Sequence, residues 1–308
     1  MSRVYLFDTK LYAYNEIQRH GPITQIFNTI ARDLISLKKR GKVYVTFDIG
    51  HSSFREGEQS YYKGHRRVAV AKKSQEKQDA HAQFNIDYLA LVPLFRALDV
   101  TVVAVDGVEA DDLMSLITLR HPEAEVVLMT ADRDHLHSVV GTTNVKMYSA
   151  REHKWFDHDY VVEEYGVSTR RDFTILKAMA KDAGDNLMAF RNMGPIKAKK
   201  VFGSLPKGAT DDDAIQALEG YLEDNPRVVI HELHIEEGRD TVRKAFLSNM
   251  EVGATFTDYT HMTKEQIAEY EESFNFIRDP EADFEALCIE LFGFPILLSE
   301  QAKRVYGV

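Results

Sequence analysis

Four short runs of apolar, β-branched residues each lead into acid, and that arrangement restricts the folds open to this chain. Val4-Tyr5-Leu6-Phe7 is closed by Asp8, and Val43-Tyr44-Val45-Thr46-Phe47 by Asp48. Val102-Val103-Ala104-Val105 leads through Asp106-Gly107-Val108 into Glu109, Asp111 and Asp112. Val126-Val127-Leu128-Met129 leads through Thr130-Ala131 into Asp132 and Asp134. Runs this short and this continuously apolar read as strands of a parallel sheet covered on both faces. The stretches between them show helical spacing, as in Ile23, Phe27, Ile30, Leu34 and Leu37. The expected class is therefore α/β with a central, mainly parallel sheet. Ligands of open α/β sheets bind beyond the carboxyl ends of the strands, so these carboxylates are expected along one edge. Asp182 and Asp185 join them from a later helical stretch.

That many negative charges repel unless cations hold them. The donors are all oxygens, which suits Mg²⁺, with Mn²⁺ as a substitute. Two such ions roughly 3.5–4 Å apart clamp the attacking and leaving oxygens of an in-line displacement. The expected chemistry is that of a metal-dependent phosphodiesterase with two or more ions. Zinc is disfavoured: His135 and His137 lie two apart, and no His-Glu-x-x-His or paired cysteine occurs.

A formal charge of −10 argues at first against a nucleic-acid partner. The candidate metal ligands account for nearly all of it. Lys63, Arg66, Arg67, Lys72, Lys73 and Lys77 crowd one stretch against a single acid, Glu76. Arg191, Lys197, Lys199 and Lys200 form a second cluster. Local charge governs phosphate binding, although either run alone also fits a solvated face. Cys288 is the only cysteine among 308 residues, no apolar run approaches a membrane span, and the N-terminus enters a strand directly. These features suit a cytoplasmic protein without a membrane partner.

The organisation divides into a catalytic portion, 1–156, and a mostly helical portion, 157–308. Residues 49–78 are polar and basic, too long for an ordinary connection, and read as a functional loop or helical arm. An amphipathic helix is expected over 80–98, further helices over 160–165, 170–181 and 191–202, and a strand over 227–231. Asp211-Asp212-Asp213 reads as acid in a first helical turn rather than a metal site.

Taken together, these segments resemble the phage and bacterial 5′-nuclease family, which includes flap endonucleases, and most of all its phage ribonuclease H branch. The resemblance rests on Leu6-Phe7-Asp8, Phe47-Asp48, Ser60-Tyr61-Tyr62-Lys63-Gly64-His65-Arg66 and Gly107-Val108-Glu109-Ala110-Asp111-Asp112. It continues through Thr130-Ala131-Asp132-Arg133-Asp134 and Lys181-Asp182-Ala183-Gly184-Asp185-Asn186, in family order, and covers about 1–205. The resemblance implies a PIN-like nuclease domain, a helical arch over about 50–80 and a helix–loop–helix DNA-binding element at 182–202. It implies that Asp8, Asp48, Glu109, Asp111, Asp112 and Asp132 hold one metal. Asp134, Asp182 and Asp185 hold another, with Asp132 shared.

By the same resemblance, Lys63 and Arg66 contact the scissile phosphate. Tyr62 either stacks on a base or anchors the arm to the core. The implied substrates are DNA and RNA–DNA duplexes bearing 5′ ends or flaps, cleaved by a monomer in a bacterial host cytoplasm during phage replication. A sliding clamp or single-strand-binding protein is a candidate partner of 206–308, where Phe292 to Leu298 is either a docking segment or core. A PIN-type ribonuclease for single strands and a non-catalytic branched-DNA binder are the rival readings. Two departures stand out. Asn192-Met193-Gly194-Pro195-Ile196-Lys197 has Asn192 for the first family glycine and Ile196 for a lysine. Arg133 replaces a frequent glycine and suits either a phosphate contact or a surface ion pair.

Overall fold

The computed structural model describes residues 2–10, 23–58, 62–63, 68, 71–180, 190–230, 241–277 and 284–292. Six strands form the main sheet: β1 (Arg3–Asp8), β2 (Lys42–Phe47), β3 (Thr101–Ala104), β4 (Glu125–Met129), β5 (Val145–Ser149) and β6 (Lys154–Phe156). Their spatial order is β3-β2-β1-β4-β5-β6. All pairings are parallel except β5 with β6, which form an antiparallel hairpin. A small second sheet pairs β7 (Phe190–Arg191) with β8 (Val229–Ile230).

The helices are α1 (Ile23–Lys38), α2 (Ser53–Glu58), α3 (Gln75–Leu89), α4 (Leu91–Ala97), α5 (Ala110–Arg120), α6 (Leu136–Val139) and α7 (His158–Tyr165). They continue as α8 (Arg170–Met179), α9 (Pro195–Phe202), α10 (Asp211–Asp224), α11 (Thr241–Val252), α12 (Lys264–Phe274) and α13 (Phe284–Phe292).

Alternation along the strands divides two cores. Val4, Leu6, Val126 and Leu128 face one side and pack with Leu113, Ile117, Phe173 and Phe246. Tyr5, Phe7 and Val127 face the other and pack with Phe27, Leu34, Leu94 and Phe95. This double burial is why the strands read as unbroken apolar runs. On α1, Phe27, Ile30, Leu34 and Leu37 are all buried, as their spacing predicts. Gly41 follows because a Cβ there would lie 2.2 Å from the Arg3 carbonyl oxygen. The first core runs across the expected boundary at 156/157: Tyr270 and Phe274 of α12 return to pack against Tyr44 and each other.

Two local differences from the sequence reading have physical causes, and a third element follows that reading. The helix expected over 80–98 begins at Gln75 and breaks at Ala90. Pro93 has no N–H to bond the carbonyl of Leu89, so two helices replace one. The helix expected over 191–202 begins at Pro195, whose ring suits a first helical position, with Gly194 as its N-cap. Asp213 closes a capping box with Thr210, while Asp211 and Asp212 pair with Arg171 and Arg243. The acids of that turn are thus caps and surface ion pairs.

The sheet order reverses between β1 and β4, both of which point the same way. That reversal opens a crevice at their carboxyl ends. Asp8 stands at one lip, and Asp132, just beyond β4, at the other.

Candidate active site

Asp8 ends β1 and is nearly buried. Its Oδ2 accepts a 3.1 Å hydrogen bond from the Thr130 hydroxyl, whose oxygen accepts one, also 3.1 Å, from the Asp132 N–H. Thr130 therefore ties the two lips together. Asp132 is exposed and caps the 3₁₀ turn Arg133–His135, accepting from the Asp134 N–H at 2.9 Å. Asp134 pairs with Lys177 of α8 at 2.8 Å. Burial raises a carboxyl such as Asp134, but the Lys177 charge and hydrogen bond outweigh it and hold the group below its ordinary value.

Asp48, just past β2, accepts from the Ala110 N–H in the first turn of α5 and pairs with Lys10 at 2.9 Å. Burial opposes its ionisation, yet Lys10 and that backbone N–H keep its carboxyl below the usual range. The contact with Ala110 draws Asp48 towards the acids of α5. There Glu109 is the N-cap, and Asp111 and Asp112 occupy the first turn, where the helix dipole favours negative charge. Glu109, Asp111 and Asp112 each present an oxygen within 4.8 Å of the others.

Their partners differ. Asp112 is fully buried and takes two hydrogen bonds from Arg55 of α2, at 2.5 and 2.8 Å, and a third from the Phe256 N–H. Arg55 also donates to Glu109 and to the carbonyls of Val252 and Ala254, so its guanidinium is fully used. Glu109 receives Lys63 Nζ at 2.7 Å and the Tyr62 hydroxyl at 2.9 Å. Burial would raise Glu109, but Lys63 and Arg55 hold it low. Burial, followed by the charges of Asp112 and Glu109, pushes the Asp111 carboxyl well above the ordinary range. A half-buried acid crowded by acids is a position that a divalent cation would relieve, and the all-oxygen donor set fits one.

Tyr62 is only 2 % exposed and packs with Val252. A stacking platform needs an open ring face, so its position matches the anchoring role of the two considered. Lys63 sits at φ +49° with its chain against Glu109. Lys72 and Lys73 are exposed ahead of α3. Asp182, Asp185, Arg66 and Arg67 lie outside the described residues. Arg191 falls in β7, and Asn192 adopts φ +67°, the left-handed backbone its side chain tolerates in place of glycine. Nothing lies within 4 Å of a Cβ built on Gly194. Lys197 donates to the Asn192 carbonyl at 2.8 Å, Lys199 pairs with Glu164 at 3.0 Å, and Lys200 lies over the Tyr221 ring. Ile196 is 86 % exposed, so no packing demand explains the apolar residue there. Arg133 makes two bonds to Glu152 and covers the Phe156 ring, the surface-pair reading.

Sequence reasoning passed over Arg55, Lys10, Thr130 and Lys177.

Residues 3–166 match the family model described as the 5′–3′ exonuclease, N-terminal resolvase-like domain. The chain belongs to that family. Among its relatives are DNA polymerase I of Lactococcus lactis, 26 % identical over 221 residues, and of Mycobacterium leprae, 30 % identical over 194. These alignments cover 66 % and 60 % of this chain but only 24 % and 20 % of the polymerases. The 5′–3′ exonuclease-family chain thus spans about a quarter of the length of those curated relatives.

Among solved structures, bacteriophage T5 5′-exonuclease with bound divalent zinc matches at a TM-score of 0.69 and 17 % identity, over 89 % of this chain and 99 % of that one. The T5 flap endonuclease complex with DNA and metal ions matches at 0.67 and 17 %, over 89 % and 98 %. At such identity the likeness is one of fold, and it is the fold expected from the sequence.

Proposed function

We propose that this chain is a structure-specific 5′→3′ exonuclease and 5′ flap endonuclease that uses Mg²⁺ and acts on both DNA and RNA–DNA duplexes. Its role in this reading is removal of RNA primers and flaps during phage DNA replication. The observation that carries the reading is the convergence of acid-tipped strands on one crevice, with three carboxylates of α5 within 4.8 Å of one another.

In this reading Asp8, Asp48, Glu109, Asp111 and Asp132 would hold metal, with Asp134 on the far lip. Asp112 would orient the cluster through Arg55. Bound divalent ions would activate water and stabilise charge on the departing oxygen. The chain's own residues would do the rest. Lys63 would turn from Glu109 to the scissile phosphate, supplying positive charge where negative charge develops. Thr130 would keep Asp8 and Asp132 at fixed separation. The open space above Gly194 would admit a duplex backbone to the N-terminus of α9, whose dipole favours an anion. The relatives' polymerase activity has no counterpart in this proposal.

The test is digestion of a 5′-labelled flap with and without Mg²⁺, using wild type and Asp132→Asn. Short labelled products are expected only from wild type with metal, while the variant still binds the flap. Cleavage by Asp132→Asn at the wild-type rate would remove Asp132 from the centre. Cleavage of single-stranded RNA in preference to flaps would favour the PIN-type ribonuclease reading.

A further inference from the structure

The start of α8, the end of α11 and the loop 254–261 border an open cavity of about 340 Å³, on whose wall Ala254 and Phe256 also bond Arg55 and Asp112. Arg170, Arg171, Thr174, Thr255, Thr257 and His261 contribute to its wall. Arg170 is half-buried there, and its Nε donates to the His137 carbonyl at 3.1 Å. Among the described residues no carboxylate pairs with it. Burial pulls its guanidinium below the ordinary arginine value. A desolvated cation without a counter-charge is costly, and arginine is the side chain best shaped for a tetrahedral oxyanion.

The surroundings favour an anion as well. His137 closes the inner wall as a neutral ring. Its Nε2 meets Thr174 Oγ1, which donates onward to the Arg170 carbonyl, and its Nδ1 meets Thr255 Oγ1 at 2.9 Å. Arg171 adds charge at the rim, partly offset by Asp211 at 2.7 Å. His261 lies flat on Phe54 at 4.0 Å, which leaves its ring edge for polar contact. Glu251 also lines the cavity, but it is exposed and screened by solvent. Thr257 is exposed and offers a hydroxyl at the mouth.

We propose that this cavity is a second phosphate-binding site, adjoining the Arg55–Asp112 pair but built from other side chains, with Arg170 as its anchor and Thr257 and His261 as further donors. Arg170 and Lys177 share α8 and lie seven residues apart, so the site sits about 10 Å along the helix from the group that holds Asp134. The phosphate is either that of a free mononucleotide or one from a nucleic-acid backbone passing the domain.

The experiment is done in chelator, so that neither cleavage nor metal-dependent binding contributes. Inorganic phosphate and deoxyadenosine 5′-monophosphate are titrated into wild type, Arg170→Gln and Thr257→Glu, with Tm and ³¹P NMR line broadening as readouts. Flap-DNA affinity is measured in parallel against salt. Thr257→Glu places a repelling charge at an exposed position and leaves packing intact. Saturable binding that raises the wild-type Tm by about 2–4 °C at ten times Kd, and that both variants lose, is the result expected of a free-phosphate site. A flap-DNA salt slope shallower by about one in both variants assigns the site to backbone phosphate. Wild-type values in both readouts for both variants overturn the proposal, whatever the outcome of the cleavage assay.

Discussion

Arg55 and Asp112 meet in a two-bond ion pair, 2.5 and 2.8 Å long, against the inner wall of the acidic cluster. Both side chains are almost wholly buried. The pair joins the root of the arm to α5, and through Val252, Ala254 and Phe256 it also joins both to the chain following α11.

Removing one member strands the other charge in the interior. Arg55→Met is expected to cost about 3–5 kcal/mol, read as a lower denaturant midpoint at unchanged slope. The double variant Arg55→Met, Asp112→Leu is expected to recover most of that loss, because two apolar groups leave nothing unpaired. A double variant as unstable as the single one would show that the carbonyl contacts of Arg55, not its charge, matter most.

Thr130→Val keeps shape and removes the hydroxyl that links Asp8 to Asp132. Support of this kind around a ligand set is typically worth about 10–100-fold in metal affinity. The Mg²⁺ concentration giving half-maximal cleavage is expected to rise by that factor, with the rate at saturating metal changed far less. A titration curve superimposable on wild type would count against the link.

Lys63→Ala is expected to slow flap cleavage by about 10²-fold or more at saturating metal, as loss of a charge partner in the transition state does. Flap affinity should change little. Single-turnover rates at wild-type level would reassign Lys63 to its Glu109 contact.

Burial lowers His137 to about 3, so the folded state resists protonation that the unfolded chain accepts near 6.5. Stability from this group is complete above the unfolded value and falls as pH drops from there towards the folded value. Between pH 7 and pH 5 the loss is about 2 kcal/mol. His137→Gln is expected to flatten the stability–pH curve over that interval by a similar amount, measured by urea unfolding at half-unit steps. A wild-type slope in the variant would place the titrating group elsewhere.

The sheet was legible because β1 to β4 are buried on both faces, and burial of that kind leaves a dense β-branched signature. Asp8, Asp48, Glu109 and Asp132 were legible because each follows such a run. The start of α3 was not: of Gln75–Leu89 only Tyr88 is buried, so no apolar residue marks the helix's beginning at Gln75. The cations that hold the site were equally silent. Arg55 meets Asp112 across 57 residues, and Lys177 meets Asp134 from another helix, so neither pairing leaves a local pattern. Asn192 is the opposite case. Its identity alone suggested a left-handed backbone, and its φ is +67°.

The turns after β2 and β3 are cross-linked: Gly107 N–H donates to the Ile49 carbonyl at 3.1 Å, and Ser53 N–H to the Gly107 carbonyl at 3.0 Å. Gly107 has φ +75°, and a Cβ on it would press against Ser53, so only glycine closes this staple comfortably. Movement of the segment beyond Ser53 would load the stapled turns before it reached Asp48 or Glu109. Both bonds run from backbone to backbone, so the place where the chain leaves the sheet is set independently of the side chains that follow, and Arg55 and Lys63 start from a fixed root.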